Sequence, residues 1–185
     1  MAVLTNANQI VVGASGNVYV APVGTAAPTD LTTAMAAAWI DLGFLTEDGV
    51  TFTPSWDIEE ISAWQSFRPV RRISTSRSEE VSFEMQQWNK FNFPLAFGGG
   101  SVTTTTGVHK FIPPTASARD ERAMVIDWAD GTKKYRLIIP KGEVTDGGEM
   151  NLTRTDSASL PVTFAINGTD GTDPFYLLTD DAAFV

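Results

Sequence analysis

Ten short runs rich in Val, Ile, Thr, Phe, Trp and Tyr, punctuated by clusters of Gly, Pro, Asn and Asp, constrain this chain more than any other feature of its sequence. Branched and aromatic side chains suit a pleated, half-buried surface, and the punctuating residues turn the backbone. The runs predict strands at Asn17–Ala21, Trp39–Phe44, Val50–Glu60, Phe67–Thr75, Glu80–Gln87, Val108–Ile112, Arg122–Trp128, Lys134–Pro140, Gly142–Arg154 and Ala158–Ile166. Ten strands in 185 residues predict one mainly β domain, a sandwich or barrel.

Local signals refine this outline. Val81, Phe83 and Met85 alternate with Glu80, Ser82, Glu84 and Gln86, the mark of a strand with one face buried. Asp130-Gly131 predicts a tight hairpin turn across Ala129–Thr132, joining Arg122–Trp128 to Lys134–Pro140. One short flanking helix is expected from Trp88 or Asn89 to Phe97, stopped by Gly98-Gly99-Gly100. Pro94 costs little if that helix starts at Asn92, where it falls in the first turn, but kinks a helix starting at Trp88. Ala34–Ala38 has the composition for a single helical turn, and Gly24–Thr33 reads as loop.

With 43% apolar residues, among them 11 Phe and 5 Trp, the chain has the means to build a core without covalent staples. The absence of Cys removes disulfides, thiolate nucleophiles and thiolate metal sites together, and suits a protein made in a reducing cytoplasm. No run approaches the roughly 18 apolar residues of a membrane-spanning helix. Met1–Gln9 lacks the basic head and apolar block of a secretory signal, so the mature chain is expected to begin near Met1.

The net charge of −9 is zoned. Before Arg68 there are seven acids and no Lys or Arg; residues 68–154 hold all 13 basic residues against ten acids; the remainder holds five acids and no base. Such zoning lets a basic centre on one subunit face the acidic ends of another. It also argues against direct nucleic-acid binding, which needs a basic surface to neutralise phosphates.

Searching for chemistry eliminates more than it finds. With no Cys and a single His109 in a β-like stretch after a Thr-rich loop, neither a nucleophilic triad nor a histidine-based metal site can be assembled. The acid pairs Glu59-Glu60, Glu79-Glu80, Asp120-Glu121 and Asp180-Asp181 are sequence neighbours, which point to opposite faces of a strand and cannot act as a dyad. Asp170 and Asp173 only faintly resemble a calcium loop, which would need a closing bidentate Glu. Gly13-Ala-Ser-Gly16 and Gly98–Gly100 lack the Lys-Ser/Thr ending of a phosphate loop. No catalytic, cofactor-binding or metal residue is assigned.

Two segments read as arms: Trp56–Ser78, a basic hairpin, and the tail from Thr169 onward. Large aromatics beside Arg are enriched in interface cores. Trp64, Phe67, Arg68, Arg71, Arg72, Arg77, Phe175 and Tyr176 are therefore the candidate inter-subunit contacts. The alternative is a surface hairpin with one side packed on its own core.

Gly16-Asn-Val-Tyr-Val-Ala-Pro-Val-Gly-Thr25, followed by Ala27-Pro-Thr-Asp30, resembles the opening of siphophage major tail tube proteins. Trp39-Ile-Asp-Leu-Gly-Phe44 running into Thr46-Glu-Asp-Gly-Val50 is similar to that family's second signature, a strand and tight Asp-Gly turn leading into a long strand. Gln86-Gln-Trp-Asn89 leading to Pro94-Leu-Ala-Phe-Gly-Gly-Gly100 resembles its helix and glycine stop. The resemblance covers about residues 15–166. It implies a tube domain at 15–168 between an N-terminal arm at 1–14 and a C-terminal arm at 169–185. It also implies a non-enzymatic virion subunit, assembled in the host cytoplasm into stacked, six-fold rings that conduct the genome at ejection. Its partners would be further copies of itself, the tape measure protein, the tail terminator and distal tail proteins, with double-stranded DNA passing unbound. The competing readings are a receptor- or carbohydrate-binding β-sandwich, with Trp64 as a stacking platform, and a glycosidase-like enzyme resting only on scattered acids.

Overall fold

The structure, a computed structural model, describes residues 5–115, 118–169 and 171–184. It is mainly β with one short helix, as the sequence predicts. The strands are β1 (Ser15–Pro22), β2 (Ile40–Asp41), β3 (Leu45–Ile61), β4 (Arg71–Met85), β5 (Ser101–Thr105), β6 (Val108–Ile112), β7 (Arg122–Asp130), β8 (Lys133–Asp146), β9 (Leu160–Ile166) and β10 (Tyr176–Thr179), with helix α1 at Asn92–Ala96. Eight strands form one antiparallel sheet in the order β2-β1-β7-β8-β9-β4-β3, with β10 added beside β8; β5 and β6 form a separate hairpin.

The long strand β8 makes this sheet fold over on itself. Its first half pairs with β7 on one side and with β10 on the other, and its second half, Gly142–Asp146, pairs with β9. Between the halves, Met124 pairs with Ile139 and Arg122 with Gly142, which leaves Pro140 and Lys141 as a bulge. Proline has no N–H to give a ladder, and a bulge is where a strand tolerates one and bends. The strands expected at Lys134–Pro140 and Gly142–Arg154 are thus a single strand that changes neighbours at Pro140 and ends at Asp146.

Val18, Val20, Met124, Ile126 and Ile139 on one wing meet Val81, Phe83, Met85, Leu160, Val162 and Phe164 on the other, forming the main core. A second, smaller core lies on the opposite face of β1, β7 and β8. There Ala21, Ala123, Val125 and Ile138 are covered by Trp39, Met35 and Leu178. Both faces of β7 are therefore buried, which is why Ala123–Ile126 is an unbroken apolar run, whereas β4 and β9, buried on one face, alternate.

The loop between β1 and β2 is tied down by polar contacts. Arg136, almost fully buried, makes a bidentate pair with Asp127 and donates to the Asp30 carbonyl 2.6 Å away. The hydrogen bonds that Arg136 donates to Asp127 hold the guanidinium's pKa above its usual range. Asp30 accepts from the N–H and hydroxyl groups of Thr32 and Thr33, which hold its carboxyl well below the usual range. Ala34–Ala38 closes as a turn and not as a helical turn.

Helix α1 starts at Asn92, so Pro94 sits in its first turn. Asn92 is fully buried and donates to the Leu42 and Gln87 carbonyls at 2.7 and 2.9 Å, seating the helix against the end of β4. The chain leaves it through Gly98, Gly99 and Gly100, all at positive φ. The Thr-rich stretch before His109, expected to be loop, is β5; Thr106 and Gly107 turn it tightly into β6 at φ 51° and 79°. His109 accepts or donates one bond across that hairpin, to Thr104 at 2.8 Å.

Candidate assembly surface

Strands β3 and β4 begin inside the fold and run out of it. Near Met85 their pairing lies over the main core, and Val81, Phe83 and Met85 are buried. From Thr53 to Ile61 and from Arg71 to Ser78 both strands are exposed on both faces. The result is a two-stranded ribbon closed by residues 62–70, and the strands expected at Val50–Glu60 and Phe67–Thr75 form this one hairpin with Glu80–Gln87. The Thr46–Gly49 stretch, expected to be a tight turn, is a bulge within β3 where the register shifts between Leu45 and Val50.

From Thr53 outward the ribbon is exposed, yet one face of its β3 strand is apolar. Val50, Phe52, Pro54, Trp56 and Ile58 lie two apart and share one face, continuing the stripe that is buried at its base. A bulge between Asp57 and Ile58 places its extra residue, Thr75, on β4, so the alternation along β3 survives. Trp56 and Ile58 are half-exposed, and Trp64 and Phe67 at the tip are fully exposed. β3 is also the last strand of its sheet and, among the described residues, pairs only with β4, so 17 residues of backbone present an open edge. Long apolar edges are association sites unless blunted.

The candidate contact residues divide into two groups. Trp64, Phe67, Arg68 and Arg71 stand at the exposed tip, and neither arginine makes an ion pair among the described residues. Arg72 and Arg77 are engaged within the ribbon: Arg72 pairs with Glu60 at 2.8 Å, and Arg77 pairs with buried Glu79 at 2.9 Å while lying over the Trp56 ring. Exposed pairs of this kind contribute on the order of 0–1 kcal/mol each and mainly fix side-chain direction. Phe175 meets Phe52 edge to face at 5.0 Å and packs against the core, at the ribbon's root; Tyr176 is partly exposed on β10.

Sequence reasoning missed β10, which lies in the tail read as an arm. It docks beside β8 through a cluster that no local motif announces. Asp181 is buried and accepts from the Tyr135 hydroxyl at 2.7 Å, the Lys133 ammonium at 3.0 Å and the Ala183 N–H at 3.0 Å. These contacts, the Ala183 N–H foremost, hold the Asp181 carboxyl at about 2, and the hydrogen bond that the Tyr135 hydroxyl donates to Asp181 pushes the Tyr135 phenol up to about 12. The N-terminal segment reaches the same hairpin end: Lys133 donates to the Asn8 carbonyl, and Val12 N–H to Asp130.

A groove or cluster suited to chemistry is not what this surface offers. Among the described residues no three His, Asp or Glu side chains converge as metal ligands, and no helix is long and apolar enough to cross a membrane. Asp170, half of the faint calcium-like spacing, lies outside the described residues. A partly apolar, arginine-tipped ribbon and an open strand edge on a β core are surfaces suited to contact with other chains. Comparison with protein families gives the class of protein that bears them: residues 3–185 match the phage tail tube protein family, and the chain belongs to it. No curated protein matches. Members of this family are structural and not enzymatic, so the chain is a component of the virion tail.

Proposed function

We propose that copies of this chain polymerise as stacked, six-fold rings into the tube that conducts the genome at ejection, in a tail of the non-contractile siphophage type. The observation that carries this reading is the open, 17-residue edge of β3, continuous with an apolar strip on the ribbon that stands exposed among the described residues from Thr53 outward. Joining strands of neighbouring subunits into one barrel would remove that edge, and a head-to-tail contact would stack the rings.

In this reading residues 15–168 form the tube wall and 1–14 and 169–185 are arms; Asn8, Val12, β10 and Asp181 hold to the β7–β8 hairpin until assembly. Trp64 and Phe67 anchor the ribbon in a neighbour; Arg68, Arg71, Arg72 and Arg77 bring charge to that contact, and Phe175 and Tyr176 contribute from the C-terminal side. The tape measure protein, the tail terminator and distal tail proteins cap and fill the tube. The net charge of −9 favours a wall that repels DNA phosphate, so the genome passes unbound.

Negative-stain electron microscopy of the purified chain at rising concentration tests the reading. Hollow tubes or six-fold rings are expected. A compact monomer at every concentration, or a fixed trimer with affinity for a glycan, would overturn it.

A further inference from the structure

The ribbon and a second feature lie at opposite ends of the same strands. β4 runs from Arg71 at the ribbon tip to Met85, and Met85 pairs with Leu160 at the start of β9. Fourteen steps of extended chain at about 3.3 Å separate those ends by roughly 45 Å. At the Met85 end, α1, the end of β8 and the start of β9 leave a recess of about 430 Å³, lined by Ala96, Phe97, Val144, Met150, Leu160 and Pro161 among others. Phe97 and Met150 are half-exposed there, so the recess presents apolar surface to solvent.

Charge distinguishes the two ends as well. Beyond Glu60 the ribbon carries Arg68 and Arg71 and no acid. Asp146 lines the recess, Glu149 stands between its lining residues Gly148 and Met150, and Glu47 and Asp48 follow Leu45, which pairs with Met85 at that end; the bases on adjoining segments are Lys90, before α1, and Lys110, beside the Phe111 that packs on Phe97. Lys90 lies over the Phe91 ring, and the nearby Arg122 and Asp120 neutralise one another.

We propose that the ribbon tip of one copy seats in this recess of the next copy. Trp64 and Phe67 enter against Phe97 and Met150, and Arg68 and Arg71 face Asp146 and Glu149. This rests on the tube reading and adds to it the identity of the acceptor. A tip and a recess at opposite ends of one sheet form a heterologous contact, which generates a filament along the strand direction when successive copies translate along it and no rotation closes them into a ring. Isolated, neither surface is self-complementary: two arginine-bearing tips repel.

The chain contains no Cys, so paired thiols can be introduced without background. Copies carrying Gln65→Cys at the tip are mixed with copies carrying Met150→Cys at the recess and treated with a short bis-maleimide, while the unsubstituted chain is followed by electron microscopy. The expected result is a cross-linked pair from the mixture and a ladder from the doubly substituted chain. The separation along β4 makes every such link intermolecular. Arg68→Glu with Arg71→Glu should abolish the ladder, and Asp146→Lys with Glu149→Lys in the same chain should restore it, with thermal melts confirming that each variant folds. Tubes without the tip-to-recess product, or a tip-to-tip product instead, would overturn the acceptor and leave the tube reading standing. No product and no tubes at any concentration would overturn both.

Discussion

Strands β7 and β3 are built from the same kinds of residue and end in opposite environments. On β7, consecutive Val125 and Ile126 are both buried, because one core lies beneath the sheet and Trp39, Met35 and Leu178 cover the other face. On β3, Trp56 and Ile58 alternate with polar residues as a half-buried strand should, yet both stand in solvent. Alternation tells which face of a strand is apolar. It says nothing about whether the cover for that face belongs to the same chain, and on the outer part of β3 none of the described residues supplies it.

If that contrast is right, damage should fall very unequally on the two regions. The largest loss is expected from Phe164→Ala, which empties the centre of the main core. Phe164 is fully buried, and such truncations cost about 3–5 kcal/mol. Thermal denaturation should show a fall on the order of 10 °C. A smaller fall would mean that the two wings of the sheet can collapse onto the gap.

Gly142→Ala should come next. A Cβ there would stand 2.2 Å from the Phe164 ring and 2.5 Å from the Ala165 carbonyl, where β8 leaves β7 for β9. Overpacking of this kind costs about 1–3 kcal/mol. The same denaturation measurement checks it, and an unchanged midpoint would show that the bend at Pro140 is soft.

A pH-dependent effect is expected where β10 docks. Asp181 is held at about 2 in the folded chain against an ordinary value of 3.8. A depressed carboxylate contributes stability that is full above its unfolded value and is lost as pH falls through the folded one. Asp181→Asn should therefore melt below the parent at pH 6, and the gap should close between about pH 4 and pH 2. Hydrogen exchange at Tyr176–Thr179 should rise over the same window. A gap that persists at pH 2 would show that the carboxylate's charge is not what holds β10.

Much of the covered region could be read from the sequence, because there local pattern and final environment agree. β1, β7 and β9 lie where their apolar runs stand. The hairpin between β7 and β8 forms as expected, although its two turning residues are Gly131 and Thr132, with the positive φ at Gly131. Pro140 hid the continuity of β8, since a proline that ends a run cannot be told from one that sits in a bulge. Ser76–Ser78 hid the continuity of β4 for a different reason: both faces of the ribbon are in solvent, so polar residues cost nothing there and look like a turn. β10 was illegible because its partners Lys133 and Tyr135 are more than forty residues distant. At the assembly surface the residue types of the tip were legible, but Arg72 leans on Glu60, a pairing that appears only once β3 and β4 are in register, and Arg77 leans on Glu79 two residues along its own strand.

The smallest effect on the folded monomer is expected from the most conspicuous apolar residues. Ile58→Ser and Trp64→Ser remove large side chains that touch little of their own chain, and surface changes of that kind usually stay within about 0.5 kcal/mol. A core strand with the same alternation would lose several times as much. The two variants together should therefore melt with the parent while failing to form tubes under the electron microscope. If they instead lower the melting point by several degrees, the ribbon is folded back on its own core in solution, and the difference between β3 and β7 would be one of degree. If they melt normally and still assemble, the ribbon's apolar stripe is not the contact that the open edge of β3 requires, and that edge alone must carry the association.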